Sequence, residues 1–150
     1  MRIRHIIGVF AVALGSASCS LGGPEDAGSL NVFVETNDSV LAVDDSMMTI
    51  TVTARNVGYN PVTLAGPSDC LLSIEVRDTQ GTVVWYSYRD CVGVTVTEEL
   101  IPGQDKVQVF TWSGVNSEGT RVTGSYYYII GVARLSGEQY AGPPLTVTVE

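Results

Sequence analysis

Histidine is nearly missing from this chain: of 150 residues only His5 is one. Cations are scarce too, with 8 Lys and Arg against 16 Asp and Glu for a net charge of −8. That balance argues against nucleic acid and against anionic lipid headgroups as partners. No apolar run approaches the about 20 residues of a membrane-spanning helix; the longest, residues 6–14, has nine. Cysteine is sparse and odd in number, at three. What is abundant is Val (22) and Thr (14), punctuated by 16 Gly and 6 Pro. Such a composition favours β-sheet with frequent turns and disfavours helix. The length suits one domain with a core large enough to fold unaided.

The N-terminus has three zones. Arg2, Arg4 and His5 form a basic start, residues 6–14 an apolar stretch, and Gly15-Ser16-Ala17-Ser18 a small-residue cleavage zone. This is the layout of a secretory signal peptide over residues 1–18. Cys19 follows directly, and a cysteine there resembles the lipobox of bacterial lipoproteins, with Ser16 where the box usually has Leu. The resemblance implies a diacylglyceryl group on the Cys19 thiol and a membrane-anchored lipoprotein of the cell envelope. Multiple acyl chains on one residue give stable attachment. The alternative is a soluble secreted or periplasmic chain in which Cys19 is incidental. Without residues 1–18 the chain has six basic and sixteen acidic residues, a net −10, and no imidazole. That excludes Ser-His-Asp and Cys-His catalysis within the chain and every histidine-ligated metal site. Residues 19–29, rich in Gly and Ser, read as a flexible tether, and residues 30–150 as the folded domain.

If Cys19 is acylated, Cys70 and Cys91 remain to pair. Residues 71–77 and 83–88 alternate as strands around the turn residues Asp78-Thr79-Gln80-Gly81-Thr82. A turn centred between Gln80 and Gly81 pairs positions whose numbers sum to 161, and 70 and 91 do so. Cys70 then faces Cys91, Val76 faces Trp85 and Glu75 faces Tyr86. Facing cysteines lie within reach of a disulfide, which an exported compartment favours. The bridge would close a loop of about 20 residues, worth about 3 kcal/mol in the chain-entropy account. The alternative is a pair of buried free thiols.

Period-two alternation recurs along the rest of the chain. Leu30, Val32 and Val34 alternate with Asn31 and Glu35. Met48, Ile50, Val52 and Ala54 alternate with Thr49, Thr51, Thr53 and Arg55, as in a half-buried antiparallel strand. Asn56-Val57-Gly58-Tyr59-Asn60-Pro61 reads as a turn before a short strand at Val62-Thr63-Leu64. Residues 106–112 and 125–135 are apolar on both faces, the second marking a central strand. Leu145, Val147 and Val149 close the chain. About seven or eight short strands with frequent turns predict an all-β, immunoglobulin-like antiparallel sandwich, with a closed barrel as competitor.

Between Trp112 and Tyr126, Gly114, Gly119 and Gly124 permit positive φ and Asn116 suits a turn cap. Tyr126 is expected to send its ring into the core at a tyrosine corner. A strand, not a helix, follows these glycines, so a phosphate cradle is not expected. Ile101-Pro102-Gly103-Gln104 reads as a further turn.

Arg55-Asn56-Val57-Gly58, Gly81-Thr82-Val83-Val84-Trp85, Pro102-Gly103-Gln104, Trp112 and Gly124-Ser125-Tyr126 stand in an order that resembles the intracellular proteinase inhibitor (BsuPI-type) family. The resemblance covers residues 49–150 and implies an Ig-like fold and binding to serine proteases. Residues 92–97, just after Cys91, are a candidate inhibitory loop or else another sheet strand. The alternative role is a structural or adhesive module of the envelope. Asp44, Asp45, Asp69, Glu98 and Glu99 are the carboxylates that an enzyme or a Ca²⁺ site would use, but they sit at turns and strand ends without calcium-loop spacing. The expectation is therefore a non-enzyme with no cofactor and no metal, a protein partner, no nucleic acid, and membrane contact only through the lipid on Cys19.

Overall fold

The computed structural model describes residues 29–42, 47–136 and 138–150. The signal peptide, Cys19, Asp44 and Asp45 lie outside the described residues. Five strands come from the first half of the domain: β1 (Leu30–Thr36), β2 (Val40–Leu41), β3 (Met48–Asn56), β4 (Val62–Pro67) and β5 (Leu72–Arg77). Six follow: β6 (Val83–Tyr86), β7 (Thr95–Leu100), β8 (Asp105–Trp112), β9 (Ser125–Leu135), β10 (Glu138–Ala141) and β11 (Leu145–Val149). A 3-10 turn, Ser87–Asp90, follows β6.

β1, β3 and β8 form a three-stranded sheet, and the other strands form an eight-stranded one. β9 is central, as its two apolar faces predict: it pairs with β11, β10, β5 and β4 along its length. All pairings are antiparallel except β2 with β11. Side chains of both sheets, among them Ile50, Val52, Trp112, Leu64, Ile74, Ile129 and Val147, meet in one core. This is the expected Ig-like sandwich. The strands beyond the expected seven or eight include β2, two residues long, and β10, four residues long and mostly polar. Neither is long or apolar enough to show alternation.

The two sheets come close together at Gly131, in mid-β9. A Cβ there would lie 2.9 Å from a Val34 methyl and 3.0 Å from a Val52 methyl. At the other extreme is Asn56, fully buried at the end of β3. Its Nδ2 donates to the carbonyls of Asn60 and Leu100 at 2.8 Å, and its Oδ1 accepts the Gly58 N–H at 2.9 Å. Its backbone exchanges bonds with Gly103 and Gln104. One side chain thus ties the Asn-x-Gly turn to the Pro-Gly turn.

Three expectations need correction. The β5–β6 hairpin has the expected register at Glu75–Tyr86 and Val76–Trp85, but it is not regular: a bulge pairs Arg77 with Val83. The second strand also ends at Tyr86 rather than Tyr88, where the Ser87 Oγ accepts the Ile74 N–H at 2.9 Å and the chain turns. A hydroxyl there replaces a ladder carbonyl. Next, Tyr126 does not enter the core: it is 60% exposed, and Tyr127, at 7%, packs edge-on against Trp112 at 5.9 Å. Pairing of Tyr127 with the inward Val147 decides the parity. Lastly, β8 is not apolar on both faces. Trp112 is inward, so Val107 and Val109 point to solvent while Lys106 and Gln108 turn inward at the sheet edge. There Lys106 Nζ meets Glu98 Oε2 at 2.6 Å and Gln108 Nε2 donates to the Asp69 carbonyl at 2.7 Å. Inward charges on an edge strand discourage pairing with other chains.

Candidate functional site: a disulfide-clamped apolar loop

The segment left open as loop or strand is both. Residues 95–97 belong to β7, whereas 92–94 stand outside the sheet. Cys70 and Cys91 are joined by a disulfide with a Cα–Cα distance of 5.9 Å, which closes the base of this loop. Asp69 supplies a second fastening. Its Oδ2 accepts the Val92 N–H at 2.9 Å and its Oδ1 accepts the Gly93 N–H at 3.0 Å. The Ser68 N–H donates to the Val94 carbonyl at 2.9 Å, a third. Gly93 lies so close to Ser68 and Asp69 that any Cβ would overlap them. On this pinned backbone Val92 is 91% exposed and Val94 75%.

A lone exposed valine is ordinary. Two on a backbone held at several points form a preorganised apolar surface, which loses little entropy when it docks. The electrostatics support the clamp. The Val92 N–H, seconded by that of Gly93, holds the Asp69 carboxyl below its ordinary pKa, against desolvation acting the other way. A second exposed apolar tip, Val57, Tyr59 and Ile101, lies at the far end of β7 on the turns that Asn56 ties together.

The remaining carboxylates do not converge. Asp69 caps a loop, Glu98 pairs with Lys106, and Glu99 is exposed. Among the described residues no group of three or more His, Cys, Asp or Glu is placed to hold a metal ion. Sequence reasoning marked Cys70, Cys91 and residues 92–97 but missed the role of Asp69. A short carboxylate beside a half-cystine, after Pro-Ser, was the available signal, because Asp readily accepts nearby backbone N–H groups.

No family profile and no curated protein sequence matches the chain. Similarity to solved structures is at the level of fold. The chain is similar to Spo0M, a sporulation control protein from Bacillus subtilis, with TM-score 0.50 and 12% identity over 82% of this chain and 50% of that one. It thus spans half of Spo0M. A CARDB domain from Pyrococcus furiosus, solved with di-metal ions, gives TM-score 0.46 and 19% identity over 81% of this chain and 87% of that one. A β-glucosidase from Erythrobacter marinus gives 0.46 and 14% identity, covering 81% of this chain but 15% of the enzyme. At these identities the likeness concerns the sandwich alone. The Cys70–Cys91 disulfide fits an extracellular or periplasmic compartment. No helix of the described residues is long and apolar enough to cross a membrane.

Proposed function

We propose that this chain is an exported, lipid-anchored recognition module of the cell envelope, without catalytic machinery of its own, whose clamped loop docks into a protein partner. The observation that carries this reading is the pairing of pinned backbone with the exposed Val92 and Val94 side chains. A serine protease is the partner the reading favours. An inhibitor that mimics substrate needs a rigid loop offering apolar side chains to a cleft, and the order of turn motifs resembles the BsuPI-type inhibitors. Cys19, following a signal-peptide layout, is the proposed lipidation site.

The test of the partner is to incubate the full chain with subtilisin-like and trypsin-like serine proteases. Protease activity should fall at micromolar chain, and Val92→Asp or Val94→Asp should restore it. Undiminished activity of both proteases rejects a protease partner. Capture of one abundant non-protease from an envelope extract would then favour the structural or adhesive role. For the anchor, mass spectrometry of the mature N-terminus should find an acylated Cys19, and Cys19→Ser should release the chain from the membrane fraction.

A further inference from the structure

The outer face of the eight-stranded sheet holds a cleft of about 370 Å³ lined by Arg77, Gln80, Tyr128, Ile130 and Pro144, within the roughly 300–1,000 Å³ range of ligand sites. Arg77 enters it already paired: its Nη2 and Nε donate to Glu75 Oε2 at 2.6 and 3.1 Å. Glu75 is only 8% exposed although it sits on the solvent side of β5, between Tyr86 of β6 and Ile130 of β9. Burying a carboxylate there carries a desolvation penalty that the pair offsets only in part. A threonine or valine would build the same strand without it. Glu75 Oε1 and Arg77 Nη1 make no hydrogen bond among the described residues and are not buried orphans. Glu75 lies behind the lining, so the wall offers a guanidinium whose charge Glu75 neutralises, beside Gln80 and Tyr128.

The chemistry of that wall selects among ligands. An anion meets a guanidinium already neutralised by Glu75, on a chain of net charge −8, and a cation meets Arg77. A wholly apolar ligand would strand the ion pair. A neutral polyhydroxylated ring satisfies both halves of the site: its hydroxyls take the polar groups, and its C–H face packs on Tyr128, Ile130 and Pro144. The surface continues along β9, where the exposed Tyr126 stands two residues from Tyr128, and Thr148 and Thr146 of β11 are their partners. We propose that this cleft binds a neutral oligosaccharide. Arg77, held by Glu75, and Gln80 bond the hydroxyls of one sugar, Tyr128 packs on its ring, and Tyr126 receives the next. The site shares no residue with the clamped loop, so either assignment stands or falls without the other.

The full chain would be titrated by calorimetry with cellohexaose, xylohexaose and chitohexaose separately, and with hexagalacturonate as the anionic counterpart. At least one neutral oligosaccharide should bind saturably. Tyr128→Thr, Gln80→Ala and the double variant Glu75→Gln/Arg77→Met, which removes the pair without leaving a lone charge, should each weaken binding by at least about tenfold. Gln80 lies in an exposed turn, so its variant reads binding rather than folding, and Val92→Asp should bind as the parent does. No neutral binding at millimolar sugar, undiminished binding by the variants, or tighter binding of hexagalacturonate would each overturn the proposal.

Discussion

Asn56 concentrates at one residue what holds the far end of the sandwich together. Replacing it with Ala leaves the Gly58 N–H and the Asn60 and Leu100 carbonyls without their partner. Asn56→Ala should therefore destabilise the fold by about 3 kcal/mol, read as a lower midpoint of urea unfolding. Gly131 is the opposite case, a residue that matters by having no side chain. Gly131→Val would drive methyls into Val34 and Val52 and should cost about 3 kcal/mol, measured in the same way. The Asn-x-Gly turn was visible in the sequence, but not its partner at Leu100, because a hydrogen bond across 44 residues has no local signature. Nor was the need for Gly at 131, since no sequence pattern reports the distance between two sheets. The Tyr126 and Tyr127 exchange has the same origin: three successive tyrosines are equivalent until the neighbouring strand chooses which one points inward.

At the scale of elements, the loop after Cys91 shows how a short segment is made rigid without regular structure. The disulfide spans 21 positions, so Cys70→Ser with Cys91→Ser should lower stability by about 3 kcal/mol. It should also speed hydrogen exchange of the Val92 and Gly93 amides. The Asp69 clamp is pH-dependent with a definite sign. Its carboxyl has a folded pKa below the unfolded value, so its contribution is complete above the ordinary carboxylate range and is lost as pH falls through the folded value. Protection of the Val92 amide, its exchange rate relative to the intrinsic rate at each pH, should fall below about pH 4, and Asp69→Asn should remove that pH step. The cysteines were legible as a pair through hairpin arithmetic, and the disulfide formed. The route was different, since a bulge at Arg77 and the 3-10 turn from Ser87 interrupt the ladder that the arithmetic assumed.

For the whole molecule, non-local pairing is the rule: β3 pairs with β8 and β5 with β9, each across fifty residues or more. Refolding should therefore take milliseconds to seconds, as in other β-sandwiches, followed by the fluorescence of buried Trp112. Acid should weaken the sandwich at more than one point. The bidentate bond from Arg55 to Asp105, which joins β3 to β8, holds the Asp105 carboxyl below its ordinary pKa just as Val92 does for Asp69. Each contribution is lost as the pH falls through that group's own lowered pKa.

The chain's own pattern was enough to determine the all-β class, the central position of β9, the half-buried alternation of β3 and the turn glycines with positive φ at 114, 119 and 124. These are local properties, written in two-residue periodicity and in backbone freedom, and each strand carries its own. Tertiary structure alone decided which face of β8 meets water, which tyrosine enters the core, and that Glu75 is buried on an outer surface. It also brought Asp69 beneath the loop at Val92. Each of those depends on a neighbour distant in sequence, and side-chain parity is settled only when two strands choose a register.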